Sequence, residues 1–156
     1  DNLIIKKTQN GYFTVKLIDF DSSFFEKEPP ENTDEFQGDM VYLAPETFLR
    51  ISGEDVRITR SADIFALGII FHELVCGHRL SYPERYDYLY EASLDGVDII
   101  PDGRLPGALR ELICDMTALE PNRRPAADKV FERLSAMSAP RSQKKYDGFN
   151  RSTDLD

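Results

Sequence analysis

With 28 acidic against 19 basic side chains, this 156-residue chain carries a net charge of -9, which disfavours nucleic acid and anionic membrane surfaces as partners and favours a basic peptide. A hydrophobic content of 41% gives one domain enough material for a core. No apolar run is long enough to span a membrane and no signal peptide opens the chain, so the expectation is a soluble, cytoplasmic domain.

In chain order, the first signal is Asn10-Gly11 between the runs Leu3-Ile4-Ile5 and Val15-Lys16-Leu17-Ile18. This predicts a β-hairpin with a two-residue type I′ turn, whose central positions both need positive φ. Counting outward from that turn sets Asn2 opposite Asp19, where neighbouring strands lie about 5 Å apart. An amide oxygen and a carboxylate so placed are suited to share one hard cation, which points to phosphate chemistry. The competing reading is that both are ordinary turn residues.

Residues 19 to 46 carry no sustained period, and the acidic, proline-bearing stretch from Glu26 to Glu35 predicts a mobile surface loop. Ser61 is the expected N-cap of a helix, with Asp63 in the first turn where free amides and the helix dipole favour negative charge. Ile64 to Cys76 is apolar on nearly every side before Gly77, which predicts a helix buried in the middle of the domain. Cys76 and Cys114 lie in apolar helical patterns without C-x-x-C spacing, so buried reduced thiols are expected rather than a disulfide or zinc site. Of the two histidines, His72 and His78, the first lies inside the greasy helix and is expected to play a core role.

Tyr86, Leu89, Tyr90 and Leu94 recur at helical spacing, with Glu84, Asp87 and Glu91 left for solvent. Leu109, Leu112, Ile113, Met116 and Leu119 form a second amphipathic pattern, and Ala127, Val130, Phe131, Leu134 and Met137 a third with the same offsets. The C-terminal half therefore reads as a bundle around the buried helix. Residues 139–156 lack both period and apolar content and read as a disordered tail or linker.

Several stretches, in order, resemble those of the eukaryotic-type protein kinase family, on its Ser/Thr side. Asp1-Asn2-Leu3 is similar to the end of the catalytic loop, Asp19-Phe20-Asp21 to a variant of Asp-Phe-Gly, and Gly38 to Glu46 to the segment ending in Ala-Pro-Glu. Ser61-Ala62-Asp63-Ile64-Phe65-Ala66-Leu67-Gly68 resembles the start of the family's buried central helix, and Glu120-Pro121-Asn122-Arg123-Arg124-Pro125 its late Pro-x-x-Arg-Pro motif. An ordered set is far more specific than any one short motif.

The resemblance implies a mainly α, α+β fold over residues 1–138: the kinase C-terminal lobe, a short N-terminal hairpin on a helical bundle. It implies ATP and Mg²⁺ as cofactors, with Asn2 and Asp19 as metal ligands and Asp21 as a further outer one. Residues 19–46 would be the activation segment, with Ser22, Ser23 and Thr33 as phosphorylation sites and Asp39 and Tyr42 near the substrate. Asp63 would hold the backbone of the catalytic loop, and Glu46 would pair with Arg124, far along the chain. The catalytic Asp would lie just upstream of Asp1, and the phosphate-binding Lys and its Glu partner in an N-terminal lobe, so this stretch alone is expected to be inactive.

Two positions depart from the family pattern. Asp21 replaces a Gly and restricts the backbone there. Asp39 stands where Ser/Thr members usually have a Thr, and a carboxylate accepts but does not donate. An active protein kinase acting on a protein or peptide hydroxyl is the first reading. A pseudokinase or kinase-like interaction module is the alternative, with a small-molecule kinase third.

Overall fold

The computed structural model describes residues 2–33, 36 and 38–137. Asp1, Asp34, Glu35, Gln37 and residues 138–156, with the tail or linker expected at 139–156, lie outside the described residues. Strands β1 (Leu3–Lys7) and β2 (Phe13–Leu17) form an antiparallel ribbon, followed by an irregular segment with a 3₁₀ turn at Met40–Tyr42. Then come α1 (Pro45–Ile51), α2 (Ser61–Cys76), α3 (Leu89–Leu94), α4 (Gly107–Met116), a 3₁₀ turn at Pro121–Arg123 and α5 (Ala127–Met137). The fold is α+β and mainly α, with α2 at its centre.

The ribbon's register is one residue away from the expected one. Leu3 pairs with Leu17 and Ile4 with Lys16, so Asn2 comes opposite Ile18, not Asp19, and the Ile18 N–H donates to the Asn2 carbonyl at 3.0 Å. The cause lies in the loop. Gly11 N–H donates to the Thr8 carbonyl at 3.0 Å, Gly11 alone in the turn has positive φ (80°), and Thr8 N–H donates to the Tyr12 carbonyl at 2.7 Å. That is a three-residue loop closed by a left-handed glycine, in place of the two-residue turn. The Thr8 hydroxyl secures it, donating to the Tyr12 carbonyl at 3.0 Å and accepting from Tyr12 N–H at 3.1 Å.

α2 sends side chains into two clusters. Phe65 and Ile69 join Ala44, Leu80, Leu89, Leu105 and Ile113, while Ile64 joins Leu112, Met116 and Val130. Gly68 lets α4 come close: a Cβ there would stand 2.8 Å from Thr117 Cγ2 and 3.0 Å from Met116 Cβ. The close approach offsets the roughly 1 kcal/mol that a mid-helix glycine costs. Gly77, left-handed at φ 74°, ends α2 and returns its N–H to the Glu73 carbonyl at 2.8 Å. Leu74 and Val75 are exposed, so the last turn of this otherwise buried helix emerges from the core.

Other expectations need correction. Ser61 does not cap α2; its N–H donates to Thr59 Oγ1 at 3.3 Å, and the Thr59 carbonyl accepts from Ala62 N–H at 2.9 Å. α3 begins only at Leu89, because Glu91 folds back to accept the Asp87 and Tyr88 N–H groups at 2.8 and 3.1 Å, leaving Tyr86 in the preceding turn. The thiols are free but not buried: Cys76 is half-buried and Cys114 exposed, since Cys114 faces outward between the core residues Ile113 and Met116. Phe131 is likewise exposed, because of α5's apolar stripe only Val130 reaches full burial. Among the described residues no helix is long and apolar enough to cross a membrane.

Candidate functional site

β2 ends against Asn2, and the next residue breaks the strand. Asp19 has φ 64°, the one non-glycine residue with positive φ among the described residues. Asp enters this left-handed region more readily than most side chains, yet holding it there still costs on the order of 1 kcal/mol. Asn2, Asp19 and Asp21 are all exposed. No hydrogen bond or ion pair involves the Asp19 or Asp21 carboxylate among the described residues. An amide and carboxylates with oxygen lone pairs open to solvent fit the oxygen-only preference of Mg²⁺.

The segment beyond Asp19 is irregular but held. Ser23 donates through its N–H (2.9 Å) and hydroxyl (2.7 Å) to the Phe20 carbonyl, and Phe24 meets Phe36 edge-on at 5.4 Å. Glu26 sits near Arg57 (3.6 Å) and Arg60 (3.7 Å), two cations of this chain beside the segment. Thr33 accepts from Phe36 N–H through its carbonyl at 3.2 Å. Asp39 uses its acceptor-only chemistry as a cap: Oδ1 takes the Val41 N–H at 2.9 Å and begins the 3₁₀ turn. Tyr42 donates its hydroxyl to Glu73 Oε2 at 2.9 Å, and that bond, followed by burial, raises its pKa above the ordinary tyrosine value.

A cleft of about 370 Å³ gathers Ser22, Ser23, Asp39, Tyr42 and Asp63 on its lining, with Arg60 beside them. Asn2, Asp19, Asp21 and Thr33 do not line it. Asp63 is open to solvent on one side, yet desolvation from the cleft wall raises its pKa, and its carboxylate has no partner among the described residues.

Beneath the cleft, Glu46 and Arg124 form a buried bidentate pair. Arg124 Nη1 donates to Glu46 Oε1 at 2.6 Å and Nη2 to Oε2 at 2.8 Å, with side-chain exposures of 0% and 4%. The other donors are also used: Nε on the Ala118 carbonyl (2.7 Å), Nη1 on Ser61 (2.9 Å) and Nη2 on Leu119 (2.9 Å). All five guanidinium hydrogens have acceptors, and its carbon lies 4.9 Å from the Phe65 ring centre. One side chain thus ties together the start of α1, the start of α2 and the turn after α4.

Sequence reasoning missed Glu73 as the acceptor for Tyr42 and missed a polar cluster at the far end of α2. There His72, buried as expected, accepts the Asp102 N–H on Nε2 at 3.1 Å and donates from Nδ1 to the His78 carbonyl at 3.1 Å. Burial lowers its pKa, keeping the ring neutral. The polar pair at i and i+6, His72 and His78, was the available signal; Asp102, in a separate loop well beyond the helix, had none.

The protein kinase domain family matches residues 1–134. A calcium-dependent protein kinase 9 of Oryza sativa subsp. japonica is 33% identical over 121 residues, covering 76% of this chain and 20% of that protein. Serine/threonine-protein kinase GRIK2 of Arabidopsis thaliana is 34% identical over 138 residues, covering 85% of this chain and 31% of the relative. Serine/threonine-protein kinase YPK2/YKR2 of Saccharomyces cerevisiae is 31% identical over 110 residues, 70% of this chain and 15% of its own. The matched stretch is therefore less than a third of the length of each relative. A ribbon followed by a helical bundle around α2 is the fold of a kinase C-terminal lobe. The chain belongs to the protein kinase family.

Proposed function

We propose that this chain is the C-terminal lobe of a Ser/Thr protein kinase that moves the γ-phosphoryl group of ATP to a protein hydroxyl. Asp19 and Asn2 are its magnesium ligands, with Asp21 in an outer position. The observation that carries this reading is Asp19: a carboxylate held in a strained left-handed conformation, one residue past the bond between Ile18 and Asn2, with its oxygens unspent. Strain kept where no packing demands it is a mark of function. Mg²⁺ bound with ATP would supply neutralisation of the charge on the phosphate oxygens. Asp19 and Asn2 would hold it, and the family's catalytic Asp, whose place in the pattern is five positions before that Asn, would orient the attacking hydroxyl.

The family's N-terminal lobe is the proposed partner of the ribbon, whose strand residues are all exposed. An isolated two-stranded ribbon is marginal in water, and one this apolar calls for a cover. The acidic balance of the chain favours a protein substrate with basic residues around the acceptor. Ser22, Ser23 and Thr33 are the proposed phosphorylation sites of the segment, with Arg57 and Arg60 as nearby cations.

The test is ATP turnover by the full-length protein across a Mg²⁺ titration. Asp19→Ala should reduce it to background while circular dichroism stays unchanged; normal turnover in that variant would refute the metal role. The 156 residues alone should transfer no phosphate, and activity from them would overturn the lobe assignment.

A further inference from the structure

At the end of α2 remote from Ser61, three different ligand types converge. Cys76 is the last helical residue, Gly77 turns the chain in the left-handed conformation, and His78 follows; Asp102 arrives from the loop before α4. Ligand atoms of Cys76, His78 and Asp102 all lie within 4.8 Å of one another. Zinc takes thiolate, imidazole and carboxylate at about 2.0–2.3 Å, which separates tetrahedral ligand atoms by about 3.3–3.8 Å. His78 Nε2 and Asp102 Oδ2, 3.0 Å apart, need to open slightly, and the Cys76 sulfur needs to close by at most about 1 Å, within reach of side-chain rotation.

The hydrogen bonds around His78 do not balance as they stand. Its Nδ1 lies 2.9 Å from the Arg79 carbonyl, which only accepts, so Nδ1 carries a hydrogen. Its Nε2 lies 3.0 Å from Asp102 Oδ2 and 3.2 Å from Arg104 Nη2. The carboxylate asks for a hydrogen on Nε2 and the guanidinium asks for a lone pair, so one of the two contacts is always unfavourable. A metal ion in place of the guanidinium satisfies both the nitrogen and the carboxylate. An imidazole whose other nitrogen donates to a backbone carbonyl is, moreover, the arrangement that metal-binding histidines adopt.

The support behind these ligands is rigid. His72 holds the backbone of Asp102 through Nε2 and that of His78 through Nδ1, so one buried ring positions both residues. Arg104 is the movable member. It binds Asp102 through Nη2 on Oδ2 at 2.6 Å and through Nε on both oxygens at 3.0 Å, but its side chain is 78% exposed, so water can replace these bonds when it leaves.

We propose that Cys76, His78 and Asp102 form a zinc site with a fourth position open to water, and that Arg104 is the cation zinc displaces. Binding exchanges the Cys76 thiol proton, released to solvent, for a sulfur–zinc bond. The site fastens the end of α2 to the loop before α4 and is independent of the phosphate chemistry. Sequence spacing concealed it, because Asp102 is separated from His78 by the whole of α3 and the loops that flank it.

Cobalt substitution of the full-length protein tests it. Co²⁺ should give a near-ultraviolet thiolate band and visible tetrahedral bands, both displaced by Zn²⁺. Cys76→Ser should abolish the thiolate band, and Cys114→Ser should leave it. His78→Ala, at an exposed position, should weaken Co²⁺ binding at least about tenfold with circular dichroism unchanged, and Arg104→Ala should tighten it. Absence of a thiolate band, its persistence in Cys76→Ser, or unchanged affinity in His78→Ala would overturn the site.

Discussion

Residues 2–43 and residues 44–137 belong to one chain but solve the burial problem differently. In the first region every strand residue is exposed, including Val15 at 58% and Leu17 at 62%, and its regular structure among the described residues is a two-stranded ribbon and one 3₁₀ turn. In the second, Phe65, Leu112, Ile113 and Met116 are shut away from water and the buried guanidinium of Arg124 has every donor matched. The helical body thus contains the partners it needs, whereas the ribbon, which carries the proposed metal ligands, displays apolar surface awaiting one. Exposed ligands, one of them the strained Asp19, at the edge of a self-sufficient body are suited to the assembly with a second lobe and a nucleotide proposed above.

The comparison breaks most readily at Arg124. Arg124→Met leaves the Glu46 carboxylate buried without a partner and should cost about 3–5 kcal/mol, read from urea denaturation. Adding Glu46→Gln to it should recover part of that loss, since the second change removes the stranded charge. Gly68→Ala comes next. Its methyl group would press on Thr117 and Met116, and overpacking of about 1–3 kcal/mol should exceed the gain of about 1 kcal/mol in helix propensity.

Alkaline titration probes the body at Tyr90, where burial, assisted by the charges of Glu91, Tyr88 and Asp87, pushes the phenol up to about 12. The folded value exceeds the unfolded one, near 10, so the contribution is intact below pH 10 and is lost as pH rises from there toward 12. Tyr90→Phe should flatten that loss relative to the unmutated chain by up to about 1 kcal/mol per pH unit, measured as unfolding midpoints between pH 9 and 11. The smallest effect is expected in the ribbon: Val15→Thr should change the stability of the isolated chain by less than about 0.5 kcal/mol. In the full-length protein the same change should cost more than about 1 kcal/mol, because the proposed second lobe would cover the side chain there.

The helices were legible where one physical rule dominated. Apolar periodicity located α4 and α5, and the run from Ile64 closed by Gly77 located α2 nearly to the residue. Errors arose where side chains competed with the backbone. The Thr8 hydroxyl stabilised a longer loop than Asn10-Gly11 implied and moved the register, Thr59 rather than Ser61 served the start of α2, and Glu91 delayed α3 by capping it. Glu46 and Arg124, at opposite ends of the helical body's sequence, were coupled only through the family resemblance, since no local pattern links them. The cleft that joins Ser22, Ser23, Asp39, Tyr42 and Asp63 was beyond pattern reading, because it depends on how the irregular segment folds back on α2.

Hydrogen exchange tests the division between the two regions most directly. In the isolated chain, amides of α2 from Ile64 to His72 should exchange only through global unfolding, while those of β1 and β2 should exchange orders of magnitude faster; in the full-length protein with Mg²⁺ and ATP, the ribbon amides should become protected. Ribbon amides as slow as those of α2 in the chain alone would contradict it.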